Sequence, residues 1–423
     1  MGYAANFVAV GSGVYVVTVE LSRAEKTVVD FVSIGLISRV SFLNKEHPMS
    51  QDERIDALMA AFRKTEYFKW MERQNIPVID GYGIEDVRDL PTAPWVRTGG
   101  RAAFINLYGM EGVTGMYVGE IPAGGALEPE KHFYEEVICI LEGQGATEVW
   151  QEGGRKQMFE WGPWSLFAPP LNTWHRLING ARQAVKFLAV TNAPLMMDTI
   201  HSEKFIFNCP YVFSERYSGA DGYFNVGQKR YESGMQHIWE TNFIMDIQSA
   251  NLDQREVKGA GVQITQFELS GNSLIGHLAQ WPAARYHKAH YHGAGAILLG
   301  LQSSGYVLLW SKELGIRPYE AGHDEDVVEV KWKAGSVYCP PGGWFHQHFN
   351  TGAQPARHLA LRYGSRIHPI GFKIADKRSE DGVYIDVKKG GTLIEYADED
   401  TQIRKHYEDE MRKNGIASAM PSS

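Results

Sequence analysis

His290-Tyr291-His292 is followed, 54 residues after its second histidine, by His346. Histidines at i and i+2 on a strand project from one face, because strand side chains alternate with period two. A third histidine from a separate strand then completes three corners of a metal polyhedron. Imidazole suits zinc, iron, copper and nickel, and three neutral ligands leave positions open for water or substrate. An earlier stretch offers Glu130, His132, Glu136 and, further on, His175. Even intervals separate the first three, so an extended strand would place two carboxylates and an imidazole on one face. That set suits manganese, iron or nickel; a hydrogen-bonded polar cluster without metal is the competing reading.

Other residues around these groups have roles to play if a substrate binds there. His348 lies two residues beyond His346 and should share its face, as a partner of a ligand, a general base or a filled inward position. His287 is an odd number of residues from His290 and should point elsewhere unless a bulge intervenes. Arg285 and Arg362 could engage a substrate carboxylate in bidentate fashion, or simply face solvent. His348 and Arg362 are the catalytic candidates. Trp281, Tyr286, Tyr291, Trp344 and Phe345 could line an aromatic pocket.

The residues around the late histidine are Gly335, Pro341, Gly343, His346 and Asn350. This spacing resembles the second cupin motif: Gly, five residues, Pro-x-Gly, two residues, His, three residues, Asn. His290 and His292 match the start of the first cupin motif. The motif's glutamate is absent, its place taken by Ala296, and Ser303 stands where its glycine would fall, with Gly305 just beyond. In the earlier copy His132, Glu136 and Gly143 fit the first motif, with Glu130 in place of its first histidine. Gly162, Pro170-Leu171-Asn172, His175 and Asn179 follow the second motif more loosely. His132 maps to His292 and His175 to His346, a shift far longer than a solenoid period of roughly 20 to 50 residues. The chain therefore resembles a bicupin over residues 95 to 370.

The resemblance implies an all-β fold: two cupin (jelly-roll β-barrel) domains with short helical N- and C-terminal extensions. It also implies a divalent metal in the second barrel on His290, His292 and His346. Glu130, His132, Glu136 and His175 are the metal candidates of the first. The three-histidine set is similar to that of gentisate and salicylate dioxygenases and of thiol dioxygenases, which points to Fe(II); Mn, Ni or Zn are alternatives. Without a carboxylate ligand, a bound ion keeps its double charge and attracts an anionic substrate. The expected function is a metal-dependent oxygenase acting with dioxygen on a small organic acid or phenolic compound. The alternatives are a redox-neutral metalloenzyme (decarboxylase, isomerase or hydrolase) and a non-catalytic ligand-binding bicupin. Oxalate decarboxylases are bicupins with three histidines and a glutamate in both barrels, a full set that neither segment here keeps.

Composition narrows the class. The chain has 423 residues, enough for two full cores, and 44% hydrophobic with 22% charged residues is ordinary for a globular protein. A net charge of −8 argues against a nucleic-acid partner. Cys139, Cys209 and Cys339 are odd in number and widely spaced, which favours a reducing, cytoplasmic setting over a disulfide framework. Cys339 could approach the pocket or be a small buried hydrophobe. No apolar run reaches the roughly 18 residues that span a bilayer, and no membrane partner is expected. No Lys or Arg precedes Arg23, so no secretory signal is expected.

The elements that must position these groups follow in order. Residues 1–48 read as an upstream extension and 49–95 as a helical segment, opened by a capping box at Ser50-Gln51-Asp52-Glu53 with Ile55, Leu58, Met59 and Phe62 on one face. A first barrel over 96–195 begins with strands at 102–107, 114–121, 137–141 and 146–150. A connecting segment, 196–258, carries a short helix near 198–205. A second barrel over 259–370 has strands at 262–269, 296–301, 306–310, 327–332 and 358–363. The tail, 371–423, carries a helix over 400–413 stopped by Asn414-Gly415. A homo-oligomer is expected.

Overall fold

The computed structural model describes residues 5–9, 14–21, 25–32, 51–225, 227, 229–233, 236–252, 258–364 and 384–420. Ser50 of the expected capping box lies outside them. The chain divides into two compact units, Met1–Arg54 and Ile55–Ser423. The first contains an antiparallel meander of strands Ala5–Ala9, Val14–Leu21 and Glu25–Val32. Strand at this end agrees with its β-branched runs, which fit a pleated surface. The helix Gln51–Phe62 buries Ile55, Met59 and Phe62 and leaves Leu58 half-buried.

The second unit contains two jelly-roll barrels of the same strand order. The large sheet of the first runs Leu166–Phe167, Glu136–Glu142, Val185–Thr191, Gly115–Ile121, Gly100–Leu107. That of the second runs Val337–Tyr338, Ile297–Gln302, Ala356–Tyr363, Leu274–Trp281, Gln263–Leu269. Each is completed by a three-stranded sheet. In the first, Gly145–Trp150 lies between Gln157–Trp161 and Trp174–Ile178; in the second, Ser304–Ser311 lies between Val328–Lys333 and Trp344–Asn350.

The barrels meet through their large sheets. Val118, Val137 and Leu188 share one apolar cluster with Phe267, Leu299 and Leu361. The buried Glu135 carboxylate accepts from the Ser273 and Leu274 amides at 2.9 and 2.8 Å, tying the first barrel to the turn ahead of Leu274–Trp281. Strands also cross over: Gly83–Ile84 pairs with Val337–Tyr338, and Phe243–Ile244 pairs with Leu166–Phe167. Cys139 and Cys339 are buried in this shared layer, so Cys339 does not approach the pocket. Alternation explains it, because the neighbouring Tyr338 takes the inward face.

The connecting segment is more ordered than its sequence suggests. It has helices Ala193–Ile200 and Glu203–Asn208, and its strand Gln236–Thr241 runs parallel to Gln263–Leu269. The C-terminal helix Thr401–Lys413, capped by Asp400, buries Ile403, Tyr407 and Met411 against Tyr286, Phe345 and Phe349. Tyr286, Tyr291 and Phe345 therefore face the helix layer and not a pocket, whereas Trp281 and Trp344 are part of the barrel interior.

The motif residues that carry no chemistry do the same structural job twice. Asn179 donates to the Ile121, Pro122 and Gln183 carbonyls; Asn350 donates to those of Pro282 and Gln354. Each closes one end of its barrel by satisfying carbonyls that would otherwise be orphaned. Gly343 turns at φ 76°, and Asn172 takes the equivalent left-handed place at φ 54°. Likewise Gly143 at φ 89° is matched by Ser303 at φ 70°.

Candidate metal centres

In the first barrel, His132, Glu136 and His175 converge, with one ligand atom from each within 4.8 Å of the others. Glu136 opens the strand Glu136–Glu142, and His175 comes from Trp174–Ile178 in the opposing sheet. The Nδ1 atom of His132 donates to the Tyr134 carbonyl at 2.9 Å and that of His175 to the Thr173 carbonyl at 3.0 Å. These bonds set the tautomer and leave each Nε2 as a lone-pair donor to a cation. Glu136 uses Oε1 to accept from the Tyr117 hydroxyl at 2.7 Å. Its Oε2 lies 3.4 Å from His132 Nε2 and 3.6 Å from His175 Nε2. All three of these buried atoms lack a hydrogen-bond partner. Orphaned polar atoms are costly in a core unless something polar joins them. Two imidazole nitrogens and one carboxylate oxygen around one point fit a divalent cation.

Burial alone would raise the Glu136 carboxyl, but the two imidazoles outweigh it and hold the group well below the usual carboxylate range. Burial would lower His175, and the Glu136 and Glu130 carboxylates reverse this and raise it.

Glu130 does not join the cluster. Its backbone bridges that of His175, while its carboxylate turns to Arg97 Nη2 at 2.7 Å. Even spacing fails as a guide here because Glu130 makes one isolated bridge and residues 131–135 are irregular, bending at 133–134, and not a continuous strand. Arg97 in turn lies 3.6 Å over the Phe207 ring, with its buried Nε unpartnered.

In the second barrel, His290, His292 and His346 also converge within 4.8 Å. Their Nδ1 atoms face the carbonyls of Lys288 at 3.4 Å, Gly293 at 2.8 Å and Trp344 at 3.2 Å, turning each Nε2 away from the backbone. The expected carboxylate position is Ala296, which is apolar and buried. The buried Lys258 instead reaches the centre, its Nζ 2.7 Å from His290 Nε2. Burial first, then the Lys258 charge and the neighbouring histidines, pushes His290 well below its ordinary value.

The His290 segment is no regular strand. It bridges Trp344–Asn350 at Tyr286↔Phe349 and His290↔His346, so four steps on one side oppose three on the other. This one-residue bulge turns His287 inward, where its ring lies 5.2 Å from that of His348 and 4.3 Å from that of Trp281. His348 shares the inward face with His346. Its Nδ1 is 2.8 Å from the Tyr338 hydroxyl, which is also 2.9 Å from His358 Nδ1. One phenolic proton cannot serve both, so one imidazole donates and the other accepts. Burial pushes His358 down to about 3 and His348 and His287 well down.

Arg362 shares the inward register with His358 and directly follows Leu361, the partner of Ile297; it is half-buried. The other candidate, Arg285, donates to the Ala260 carbonyl at 3.3 Å and so supports the turn that follows Lys258. Arg97, Tyr117, Lys258, Tyr338 and His358 stand outside both motifs and were not among the sequence candidates. Only His358 left a legible sign, its even spacing from Arg362 on one strand.

No protein-family model and no curated protein matches this chain. Among solved structures, the Lactobacillus farciminis oxalate decarboxylase formate complex is similar at 13% identity and TM-score 0.44, covering 70% of this chain and 88% of that one. A Bacillus subtilis oxalate decarboxylase variant gives 14% identity and TM-score 0.43 over 67% and 78% of the two chains. At these values the likeness carries neither substrate nor metal to this protein. Among the described residues, no helix is long and apolar enough to cross a membrane.

Proposed function

We propose that this protein is a cupin-type metalloenzyme with its principal centre in the first barrel, catalysing a redox-neutral reaction on a small organic acid. The observation that carries this reading is the trio of orphaned atoms, His132 Nε2, Glu136 Oε2 and His175 Nε2, around one point. A divalent ion held there would supply a Lewis acid for a substrate oxygen. Mixed nitrogen and oxygen donors suit Mn(II) or Fe(II).

The chain's own groups supply the rest. The Arg97 guanidinium, with a free Nε, engages the substrate carboxylate. Glu130, held by Arg97 and not by the ligand cluster, exchanges a proton with the substrate. Tyr117 fixes Glu136, and Tyr134 stacks on His132 at 3.7 Å between ring centroids, which fixes that imidazole.

An Fe(II) oxygenase is the second reading, favoured because two histidines and a carboxylate with open positions are the ligand set of many such enzymes. Metal analysis combined with an oxygen electrode and a panel of small mono- and dicarboxylic acids separates the two. About one tightly held divalent ion, lost in His175→Ala, and substrate turnover without dioxygen loss are expected. Dioxygen loss in proportion to substrate favours the oxygenase; protein that takes up no metal refutes both.

A further inference from the structure

The two centres differ in the charge that the chain builds into them, and in the second that charge is positive. Lys258 is 7% exposed, and its Nζ stands 2.7 Å from His290 Nε2, on the same lone pair that a metal ion would use. A metal bonds imidazole nitrogen at about 2.0–2.1 Å along that lone pair, so the ammonium and the metal cannot both hold His290. We propose that Lys258 is a tethered cation that completes the second centre when no metal is bound and must leave His290 for a divalent ion to enter. The second centre is then the weaker, exchangeable metal site of the two. The inference rests on His290, His292 and His346 being metal ligands.

The surroundings of Lys258 are built to deliver it. Gly259, Ala260 and Gly261 follow at φ 78°, 53° and 78°, three consecutive left-handed residues of which the alanine is the uncommon one. The Lys258 carbonyl accepts from the Lys288 amide at 3.1 Å, which ties the lysine to the His290 segment, and Arg285 holds the Ala260 carbonyl. A Cβ at Gly259 would lie 2.9 Å from the Tyr396 hydroxyl, so the turn is pressed against its neighbours. Above the ammonium, the Tyr384 ring lies 5.4 Å away and also packs 5.7 Å from the His290 ring, a cation–π lid over the pair. The first centre has a carboxylate, Glu136, in the corresponding region, where the second has Ala296. A positive charge beside a site repels an incoming cation, more strongly where water is excluded.

The test is zinc binding to the full-length protein in a His132→Ala/His175→Ala background, which isolates the second centre. Lys258→Met should tighten zinc binding by at least about tenfold. Lys258→Gln, neutral and polar, gives the same direction should the methionine variant fold poorly. In that background with Lys258 intact, zinc should displace the Lys258 ammonium resonance seen by nitrogen-15 NMR. Unchanged or weaker zinc binding in the neutral variants, with the resonance unmoved, overturns the competition while leaving the ligands in place. No zinc binding that depends on His346, even with Lys258 neutralised, overturns the ligand reading and the inference with it.

Discussion

The two barrels share strand order, barrel-end asparagines and left-handed turns, yet their centres have opposite built-in charges. In the first, Glu136 stands between two imidazoles and leaves three acceptor atoms waiting for a cation. In the second, three imidazoles meet a lysine. The scaffold repeats, while single positions set the electrostatics apart. Ala296 where the first barrel has Glu136, with the Lys258 ammonium beside His290, makes the second centre self-supplied and not cation-seeking.

The largest expected effect comes from breaking the first centre. Glu136→Gln removes the only carboxylate of the cluster and should cost well over ~100-fold in metal affinity, since even partners of ligands cost 10–100-fold. Turnover should vanish with it, measured by metal stoichiometry and product release. By contrast, His346→Ala should leave the first-barrel ion in place and much of the activity intact; activity abolished by His346→Ala with the first ion retained would reverse the assignment.

Acidification should sharpen the comparison by striking the second barrel. His287, His290, His348 and His358 are all held neutral by burial, His358 down to about 3. Their folded values lie below the ordinary ~6.5, so the unfolded chain takes up protons first as pH falls. Stability of the metal-free protein should therefore drop from about pH 6.5 downward, by up to ~1.4 kcal/mol per pH unit for each histidine. Urea titrations at pH 7 and 5 check this, and His358→Gln should flatten the slope.

Smaller effects probe single hydrogen bonds. Tyr117→Phe should loosen metal in the first centre by about 10–100-fold, because Glu136 Oε1 loses its donor. Asn179→Ala and Asn350→Ala should each cost about 1–3 kcal/mol in denaturant unfolding, similar in both barrels, by orphaning the same kind of carbonyl.

Much of the scaffold was legible because its rules are local. Short apolar runs marked the strands at Gly100–Leu107, Glu136–Glu142 and Ala356–Tyr363 to within a residue or two. The ligands were legible through a spacing that depends on turns closed by Gly343 and Asn172. Glu130 misled because one-face alternation assumes a continuous strand, and the chain there bends. His287 turned inward through a bulge that no residue type announces. Lys258 was illegible for a different reason. It lies 32 positions from His290 and joins it only through tertiary folding, with nothing but the Gly259-Ala260-Gly261 turn to mark the spot.

The first barrel should be the better cation site of the two. Crystals grown with less than one equivalent of Mn(II), measured at the manganese edge, test it directly. A single anomalous peak is expected between His132, Glu136 and His175, with Lys258 still on His290. A peak only among His290, His292 and His346 would contradict it.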